Sequence, residues 1–226
     1  MTGRPLLAID TSGTRALVAL GSSDGAVIAE RRWQAGYRHG EELLTRTDDL
    51  LTASRVALTE LGGIVVGTGP GAFTGMRVAL ATAKALARGL DLPIAGVATS
   101  DALLAAAREA AGAPESQAAA LLLPAGPSDR VLVLGGVATL LRGGDDPQLE
   151  PGTLVVAVDL PDRAPAAALA LGAQAEQGLS TALLRLGAAR IGAGGDDVAR
   201  LVPEYVTLPR GIGAVKGEVR WSRDRR

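Results

Sequence analysis

The chain has 226 residues, a formal net charge of -1 at pH 7 and no cysteine. This length suits one large domain or two small ones, the charge excludes a generally basic surface for nucleic acid, and the lack of cysteine excludes disulfides and thiolate sites. The apolar stretch before Asp10 is too short for a signal peptide, and no run reaches the length of a membrane span, so we expect a soluble, cytoplasmic protein.

The amino-terminal part of the sequence predicts three short strands and then a helix. Residues 6–9, 16–20 and 26–29 are apolar runs separated by the polar turns TSGTR and SSDG, which is typical of an antiparallel meander. In Glu41–Ala53, EELLTRTDDLLTA, leucines recur on one helical face and acidic residues on the other. We therefore expect an amphipathic helix there.

Alternating strands and helices follow. The sequence predicts a strand over 64–66, a helix over 75–90, a strand over 94–97 and a helix over 99–110 that Thr99 or Ser100 caps. Further strand candidates are 121–123, 131–137 and 154–158, and residues 166–191 have helical composition with expected breaks at Gly178 and Gly187. We expect the end of the chain to be mostly loop.

This order of elements predicts an α/β fold with an antiparallel edge. The predicted domains are a first half over 1–111, a smaller second half over 112–210 and a basic tail over 211–226. The arginines of the tail allow a contact with RNA, but a solvated tail is the simpler interpretation.

The glycine-rich segment GTGPGAFTGMR, residues 67–77, is the strongest local motif. A phosphate-binding P-loop requires Lys and then Ser or Thr after its last glycine, whereas Met76 and Arg77 follow Gly75. A dinucleotide fingerprint is formally present in Gly67, Gly69 and Ala72, but the expected helix start and acidic residue are missing. Neither nucleotide motif accounts for the segment.

The remaining interpretation of this segment is a turn that leads into a helix. Pro70 and Gly71 would form the turn, and Thr74 would cap a helix that begins at Gly75. The free amides of such a helix can hold an anion. Alternatively, the glycines allow close packing of loop and helix. The following helix, rich in alanine, can approach neighbours on more than one side, either within the core or at a subunit interface.

Three segments together resemble the TsaB (YeaZ) family: LLAIDTSGTRALVAL at 6–20, YRHGEELL at 37–44 and GTGPGAFTGMRVALATAKALARGLDLPIAGVAT at 67–99. The resemblance implies an actin-like, Hsp70-like and sugar-kinase-like (ribonuclease H-like) fold of two related halves with mixed sheets. It also implies a non-catalytic subunit that partners TsaD in the synthesis of threonylcarbamoyladenosine on tRNA. In active ATP-using relatives of this fold the turn held here by Asp10, Thr11 and Ser12 contacts phosphate.

The same resemblance implies partners and cofactors. We expect TsaD and the ATPase TsaE as partners, a homodimer when TsaD is missing, only indirect contact with tRNA, and no membrane. We expect no cofactor or metal in this chain, with ATP acting at the level of the complex, since the single histidine, His39, cannot build a metal centre. A structural role is the simpler interpretation of His39.

The two predicted helices form the expected partner surface. The predicted interface residues lie in or beside these helices: Glu41, Leu43, Leu44, Leu50, Leu51, Met76, Arg77, Val78 and Leu80. Glu42 and Arg46 would add charge at the rim. The predicted nucleotide or anion site consists of Asp10, Thr11, Ser12, Gly71, Thr74 and Gly75.

Two other functions compete with this interpretation. An ATPase or sugar-kinase-like phosphotransferase would use Asp10 and the helix end, but it needs a second acidic phosphate-loop residue in the second half. A glycoprotease lacks support because the sequence offers no nucleophile–histidine pair. The family pattern also changes in the second half, where LLLPAGPSDRVLVLGG retains only Asp129 and Arg130, and in the altered ending around Tyr205.

Overall fold

The structure is a computed structural model that describes residues 3–22, 24–34 and 39–206, with residues 39–41 described by their backbone alone. Within these residues the chain forms two sheets and four α-helices. The elements are β1 (Leu6–Asp10), β2 (Arg15–Gly21), β3 (Val27–Gln34), α1 (His39–Ser54), β4 (Gly63–Gly67), α2 (Phe73–Gly89), β5 (Ile94–Val97), α3 (Thr99–Ala111), β6 (Ala119–Pro124), β7 (Arg130–Leu134), β8 (Val137–Leu141), β9 (Leu154–Ala157) and α4 (Ala166–Gly192).

The first sheet has the strand order β3-β2-β1-β4-β5. Its first three strands form the predicted antiparallel meander, and β4 and β5 then continue the sheet in parallel. Ala8 at the centre of β1 is opposite Ala19 on one side and Val65 on the other. The sheet is therefore mixed, with an antiparallel edge as the sequence predicts.

Side chains of the first sheet alternate between two apolar clusters, as the two-residue period of a strand requires. Leu7 and Ile9 of β1 pack on the side of α1 and α2. Leu6 and Ala8 face the opposite side, where α3 and α4 pack. This second cluster also includes side chains of β6, β7 and β9, so α3 and α4 lie between the two sheets.

The second sheet repeats the topology of the first sheet on a smaller scale. Its order is β8-β7-β6-β9, in which β6 pairs antiparallel with β7 and parallel with β9, as β1 pairs with β2 and β4. Residues 142–153, between β8 and β9, form turns where the first half has α1. The predicted fold class, mixed α/β with two related halves and flanking helices, is confirmed, and the predicted domain limits stay a prediction.

One predicted strand is in fact a hairpin. The sequence prediction joined residues 131–137 into one strand, but β7 ends at Leu134 and β8 begins at Val137. Gly135 and Gly136 between them have φ angles of 57° and 78°. A pair of glycines with positive φ is a favoured two-residue hairpin turn because it matches the twist of the strands.

Helix α4 is continuous, so the predicted breaks at Gly178 and Gly187 are wrong. The glycines of this helix allow close packing instead. A Cβ atom on Gly172 would overlap the carbonyl oxygen of Ala157, and one on Gly187 would overlap the methyl groups of Val65. Gly172 thus contacts the second sheet and Gly187 the first, which makes α4 the element that joins the two halves.

The starts of α2 and α3 also differ from the prediction. Helix α2 begins at Phe73 after Ala72, so Thr74 lies in its first turn and does not cap a helix beginning at Gly75. Helix α3 begins after Ala98, and neither Thr99 nor Ser100 is its cap. Neither helix has a side-chain cap, because the residues at the two cap positions, Ala72 and Ala98, have no polar side-chain group.

The segment Asp196–Val206, which we call the C-terminal strap, runs along the first half. Its Asp196 N–H donates to the carbonyl of Ile94 at 2.8 Å, and the Gly96 N–H donates to the Asp196 carboxylate at 2.8 Å. Further along, the Glu204 N–H donates to the carbonyl of Thr68 at 2.8 Å. The strap therefore covers the edge strand β5. The sequence analysis predicted a loop at the end of the chain but did not predict this contact. The predicted basic tail lies outside the described residues.

None of the helices in the described part of the chain has both the length and the apolar composition needed to span a bilayer.

Candidate functional site

Asp10, at the end of β1, accepts hydrogen bonds through both of its carboxylate oxygens. The N–H and the hydroxyl of Ser12 donate to Oδ1 at 2.8 and 2.7 Å, and the Thr99 hydroxyl donates to Oδ2 at 2.6 Å. Thr99 Oγ1 in turn accepts from the Gly69 N–H at 3.1 Å. This buried network, which we call the Asp10 latch, ties β1 to the loop after β4 and to the start of α3.

Burial raises the pKa of the Asp10 carboxyl above its ordinary value, and the hydrogen bonds from Thr99 and Ser12 partly offset that rise. A buried carboxylate without such partners would be very costly. Internal donors therefore already engage both oxygens of this side chain.

The glycines of the 67–77 segment make room for the Asp10 latch. A Cβ atom on Gly67 would overlap Oδ2 of Asp10, and one on Gly71 would overlap the carbonyl oxygen of Ser12. That same carbonyl accepts the Ala72 N–H at 2.6 Å. Close packing of the loop against the β1–β2 turn, one of the two interpretations left open by the sequence, accounts for both glycines.

The structure brings the predicted anion-site residues together, but several are occupied by internal contacts. Thr11 is buried, and its hydroxyl donates to the carbonyl of Gly75 at 2.6 Å. Ser12 is buried and bonded to Asp10. Only Gly71 and Thr74 of the set are exposed. Nucleotide or anion binding here is not tested and stays a prediction.

A cavity of about 500 Å³ lies between the two halves, next to the Asp10 latch. It adjoins the carboxyl ends of β1 and β6, where open α/β sheets usually place their ligand crevices. Apolar side chains from both halves form its walls, and the lining includes Met76, Leu103, Leu123, Val131, Val158 and Leu179. Sequence analysis did not anticipate the cavity because its walls come from distant parts of the chain.

The two halves differ at the position of Asp10. Ile9 is the last residue of β1 paired with β4, and Leu122 is the last residue of β6 paired with β9. Asp10 and Leu123 therefore occupy equivalent positions, and both line the cavity. The second half therefore has no acidic residue at the position equivalent to Asp10.

Charged contacts between the halves surround the cavity. The Thr14 hydroxyl donates to Asp159 at 2.6 Å, and the Arg15 guanidinium pairs with Glu176 at 3.2 Å. Burial raises the pKa of the Glu176 carboxyl, with Arg15 opposing the rise and Asp159 adding to it. Arg32 donates to the backbone carbonyls of Glu176 and Gln177 in α4. These contacts hold the first half against α4 and the segment that follows β9.

At the start of α2, an arginine lies between two aromatic rings. The Arg77 guanidinium lies 3.9 Å from the centre of the Phe73 ring, and its Nε donates to the Tyr205 hydroxyl at 2.8 Å. The two rings are 5.1 Å apart. Sequence analysis placed Arg77 at the interface but assigned no contact to Phe73 or Tyr205. The cluster connects the C-terminal strap to the exposed side of α2.

Five of the predicted interface residues belong to the core of this chain, which corrects the prediction. Leu43, Leu50, Leu51, Met76 and Leu80 are buried, and all but Met76 belong to the apolar cluster between the first sheet and its two outer helices. The amphipathic pattern that suggested a partner surface instead marks the side of each helix that covers the sheet.

The remaining predicted residues are accessible on the opposite side. Leu44 is 58% exposed, Arg77 is exposed and Val78 is half-buried. We call the accessible side of these two helices the outer helical face; it comprises Leu44, Asp48, Thr52, Arg77, Val78, Ala81 and Ala85. Glu42 and Arg46 at the predicted rim are half-buried, and the side chain of Glu41 lies outside the described residues.

Comparisons with known proteins place this fold and these motifs in a family. A family model described as TsaD: tRNA N6-adenosine threonylcarbamoyltransferase matches residues 33–147, about half of the chain. The tRNA threonylcarbamoyladenosine biosynthesis protein TsaB of Escherichia coli is 39% identical over 94 residues, which are 42% of this chain and 40% of that relative. The chain belongs to the family that this TsaD model describes, and its relatives include proteins named TsaB.

A second TsaB protein, from Bacillus subtilis, is 38% identical over 103 residues, which are 46% of this chain and 44% of the relative. The chain thus covers less than half the length of these two relatives. The solved structure of YeaZ from Pseudomonas aeruginosa superimposes with a TM-score of 0.68, covering 91% of this chain and all of that one at 24% identity. This similarity shows that the chain has the YeaZ fold.

Proposed function

We propose that this chain is a non-catalytic dimerisation and scaffold subunit of the tRNA threonylcarbamoyladenosine synthesis complex, where it binds and activates TsaD. The observation that carries the proposal is the outer helical face. Leu44, a large apolar side chain, is 58% exposed there, and Ala81 and Ala85 of α2 are small exposed residues of the same defined face. Small side chains let a partner helix approach closely, and an exposed leucine gains free energy when it is covered.

The charges of the two helices also support association with a related protein. Helix α1 carries four acidic residues, Glu41, Glu42, Asp48 and Asp49, and one basic residue, Arg46, whereas the charged residues of α2 are Arg77, Lys84 and Arg88. In a two-fold arrangement an acidic helix of one subunit can lie against the basic helix of the other. We infer that the surface pairs with the equivalent helices of TsaD and forms a homodimer when TsaD is missing.

The other components act through that complex. We propose that the chain holds no metal or cofactor of its own, that TsaE and ATP act on the assembled complex, and that tRNA is reached only indirectly. Cytoplasmic localisation follows from this role.

The alternative function, an ATPase or sugar-kinase-like phosphotransferase, has less support. Internal donors occupy both carboxylate oxygens of Asp10, and Leu123 occupies the equivalent position in the second half. Calorimetric titration with magnesium-ATP distinguishes the two functions. If the chain is a scaffold, titration with magnesium-ATP gives no heat of binding. If the chain is a phosphotransferase, the native chain binds the nucleotide and the Asp10→Asn variant does not.

The interface is tested with two substitutions on the outer helical face, Leu44→Asp and Ala81→Asp, combined in one variant. Both positions are exposed, so the monomer keeps its fold, while two buried carboxylates would oppose the interface. We expect loss of co-purification with TsaD and loss of tRNA modification in a reaction with all components. Circular dichroism and the thermal midpoint check the fold.

Val137→Asp is the matched control, because Val137 is 63% exposed but lies in the β7–β8 hairpin of the second half. It should bind TsaD as the native chain does. Equal binding of TsaD by the double variant, the control and the native chain would rule out the outer helical face as the interface.

A further inference from the structure

The cavity between the two halves has the construction of a small-molecule site. Its volume of about 500 Å³ lies in the range of ligand pockets in proteins. Exposed lining residues, including Thr14, Gly71, Ala72 and Gly126, mark an opening to solvent. A ligand can therefore reach the interior from outside.

The walls are suited to an apolar molecular body. Met76 and Leu103 from the first half are joined by Leu123, Val131 and Val158 from the second half. Leu179 of α4 and the ring of Phe73 complete the apolar lining. Cavities lined in this way bind flat aromatic or aliphatic groups, and a few polar groups set their orientation.

One polar group of the lining is available as an acceptor. Glu176 has a side chain that is only 14% exposed, and its Oε2 contacts Arg15 at 3.2 Å. Within the described part of the chain, its second oxygen accepts no hydrogen bond from a side chain or from the backbone. An N–H group on a ligand would satisfy that oxygen.

The same lining is unfavourable for phosphate. Among the described lining residues Arg15 is the cation, and it is already paired with Glu176. Asp10 and Glu176 supply two carboxyl groups, and the Ala72 N–H at the start of α2 donates to Ser12. A phosphate group would lose its hydration without gaining a free cation.

We propose that this cavity binds a small uncharged molecule with an aromatic or aliphatic body and an N–H group, and that it discriminates against phosphorylated ligands. This site is separate from the outer helical face and does not depend on the partner proposed above.

Two matched probes test the proposal on the full chain: 1-naphthamide, which is neutral and carries an N–H group, and 1-naphthyl phosphate, which has the same rings. Their affinities are measured by ligand-observed NMR and fluorescence titration. We expect 1-naphthamide to bind at least tenfold more tightly than 1-naphthyl phosphate. The first turn of α2 is the feature of the cavity that could attract an anion, so the phosphorylated probe is the decisive comparison.

Variants locate the binding. Ala72→Trp at the opening and Ala125→Trp in the lining should each weaken 1-naphthamide binding at least tenfold, whereas Ala111→Trp, at the exposed end of α3, should leave it unchanged. Ala72 is exposed, so we expect the Ala72→Trp variant to fold. It therefore tests the binding site even if Ala125→Trp does not fold. The proposal is overturned by no binding of 1-naphthamide up to its solubility limit, by equal or tighter binding of the phosphate, or by affinities that neither variant changes.

Discussion

The two halves of the chain share one strand order but use it differently. At the end of β1 the first half has Asp10, a buried carboxyl that bonds to Ser12 and Thr99, whereas the second half has Leu123 at the equivalent position. The polar network fixes the loop before α2, and the leucine only lines a cavity wall. A repeated fold can therefore keep its backbone while its chemistry diverges between the copies.

The halves also differ in how they complete their cores. The first sheet is covered on both faces by helices, α1 and α2 on one side and α3 and α4 on the other. The second sheet shares α4 and the central cluster with the first half, and its other face has only a small cluster around Leu122 and Leu160. Helices α1 and α2 of the first half thus have an accessible outer side, the outer helical face, that a partner can cover. The second sheet depends on α3 and α4 to bury its apolar side chains.

The largest expected loss of stability comes from placing a carboxyl group in the second half at the position equivalent to Asp10. Leu123→Asp places a carboxylate in an apolar wall without the donors that surround Asp10, and we expect a loss of roughly 3–5 kcal/mol in unfolding free energy at pH 7. Urea denaturation measures it. Leu134→Asp, at an exposed end of β7, is the control and should change little. Equal losses in both variants would show that the two positions do not differ in burial.

The next effect concerns α4, which both halves share. Gly172→Ala adds a methyl group where the backbone carbonyl of Ala157 lies, and a carbonyl in a strand cannot move aside. We expect a loss of about 3 kcal/mol in unfolding free energy, at the upper end of overpacking costs. Gly192→Ala at the end of the same helix has no atom within 4 Å of the added methyl and should be neutral or stabilising. A neutral Gly172→Ala would contradict the close contact.

Removing the Asp10 carboxyl breaks the polar network of the first half. Asp10→Ala leaves the buried donors of Ser12 and Thr99 without their acceptor, which we expect to lower the unfolding free energy by about 2 kcal/mol. Asp48→Ala, an exposed acidic position on α1, serves as the control in the same denaturation series. If Asp10→Ala were as stable as the native chain, the Asp10 latch would not contribute to the stability of the fold.

The smallest effect is a dependence on pH. Because burial raises the pKa of Asp10 above 3.8, the folded chain binds this proton more tightly than the unfolded chain. The stabilisation that this bound proton contributes is fully present below pH 3.8 and is lost as the pH rises through the pKa of Asp10 in the folded chain. Above that pKa the contribution no longer changes with pH. Unfolding free energies of the native chain minus those of Asp10→Asn should therefore fall with pH over this window. A difference that rises with pH would mean that the hydrogen bonds outweigh burial.

Local periodicity was sufficient to predict most of the first half. Apolar runs separated by polar turns located β1 and β2, and the leucine spacing located α1. The hairpin of β7 and β8 was missed, although Gly135 and Gly136 between apolar runs are a recognisable turn signal. The prediction that Gly178 and Gly187 break the last helix also failed, because Gly187 makes room for Val65 of a distant strand within a continuous α4.

The candidate site was less predictable because its parts are brought together only by the fold. Asp10 and Thr99 are far apart in sequence, and nothing local indicates that Thr99 bonds to Asp10 instead of capping α3. Three of the four leucines assigned to one face of α1, Leu43, Leu50 and Leu51, are buried together, whereas Leu44 is exposed; the sequence also cannot tell whether a sheet or a partner covers the apolar face. The structure assigns Leu43 to the sheet and leaves Leu44 exposed.

The central claim, that the outer helical face belongs to TsaD, is tested most directly by hydrogen–deuterium exchange of this chain with and without TsaD. Addition of TsaD should slow exchange in peptides from α1 and the amino-terminal turns of α2, while exchange in the β7–β8 hairpin stays the same. Slower exchange confined to the hairpin, with α1 and α2 unaffected, would contradict the claim.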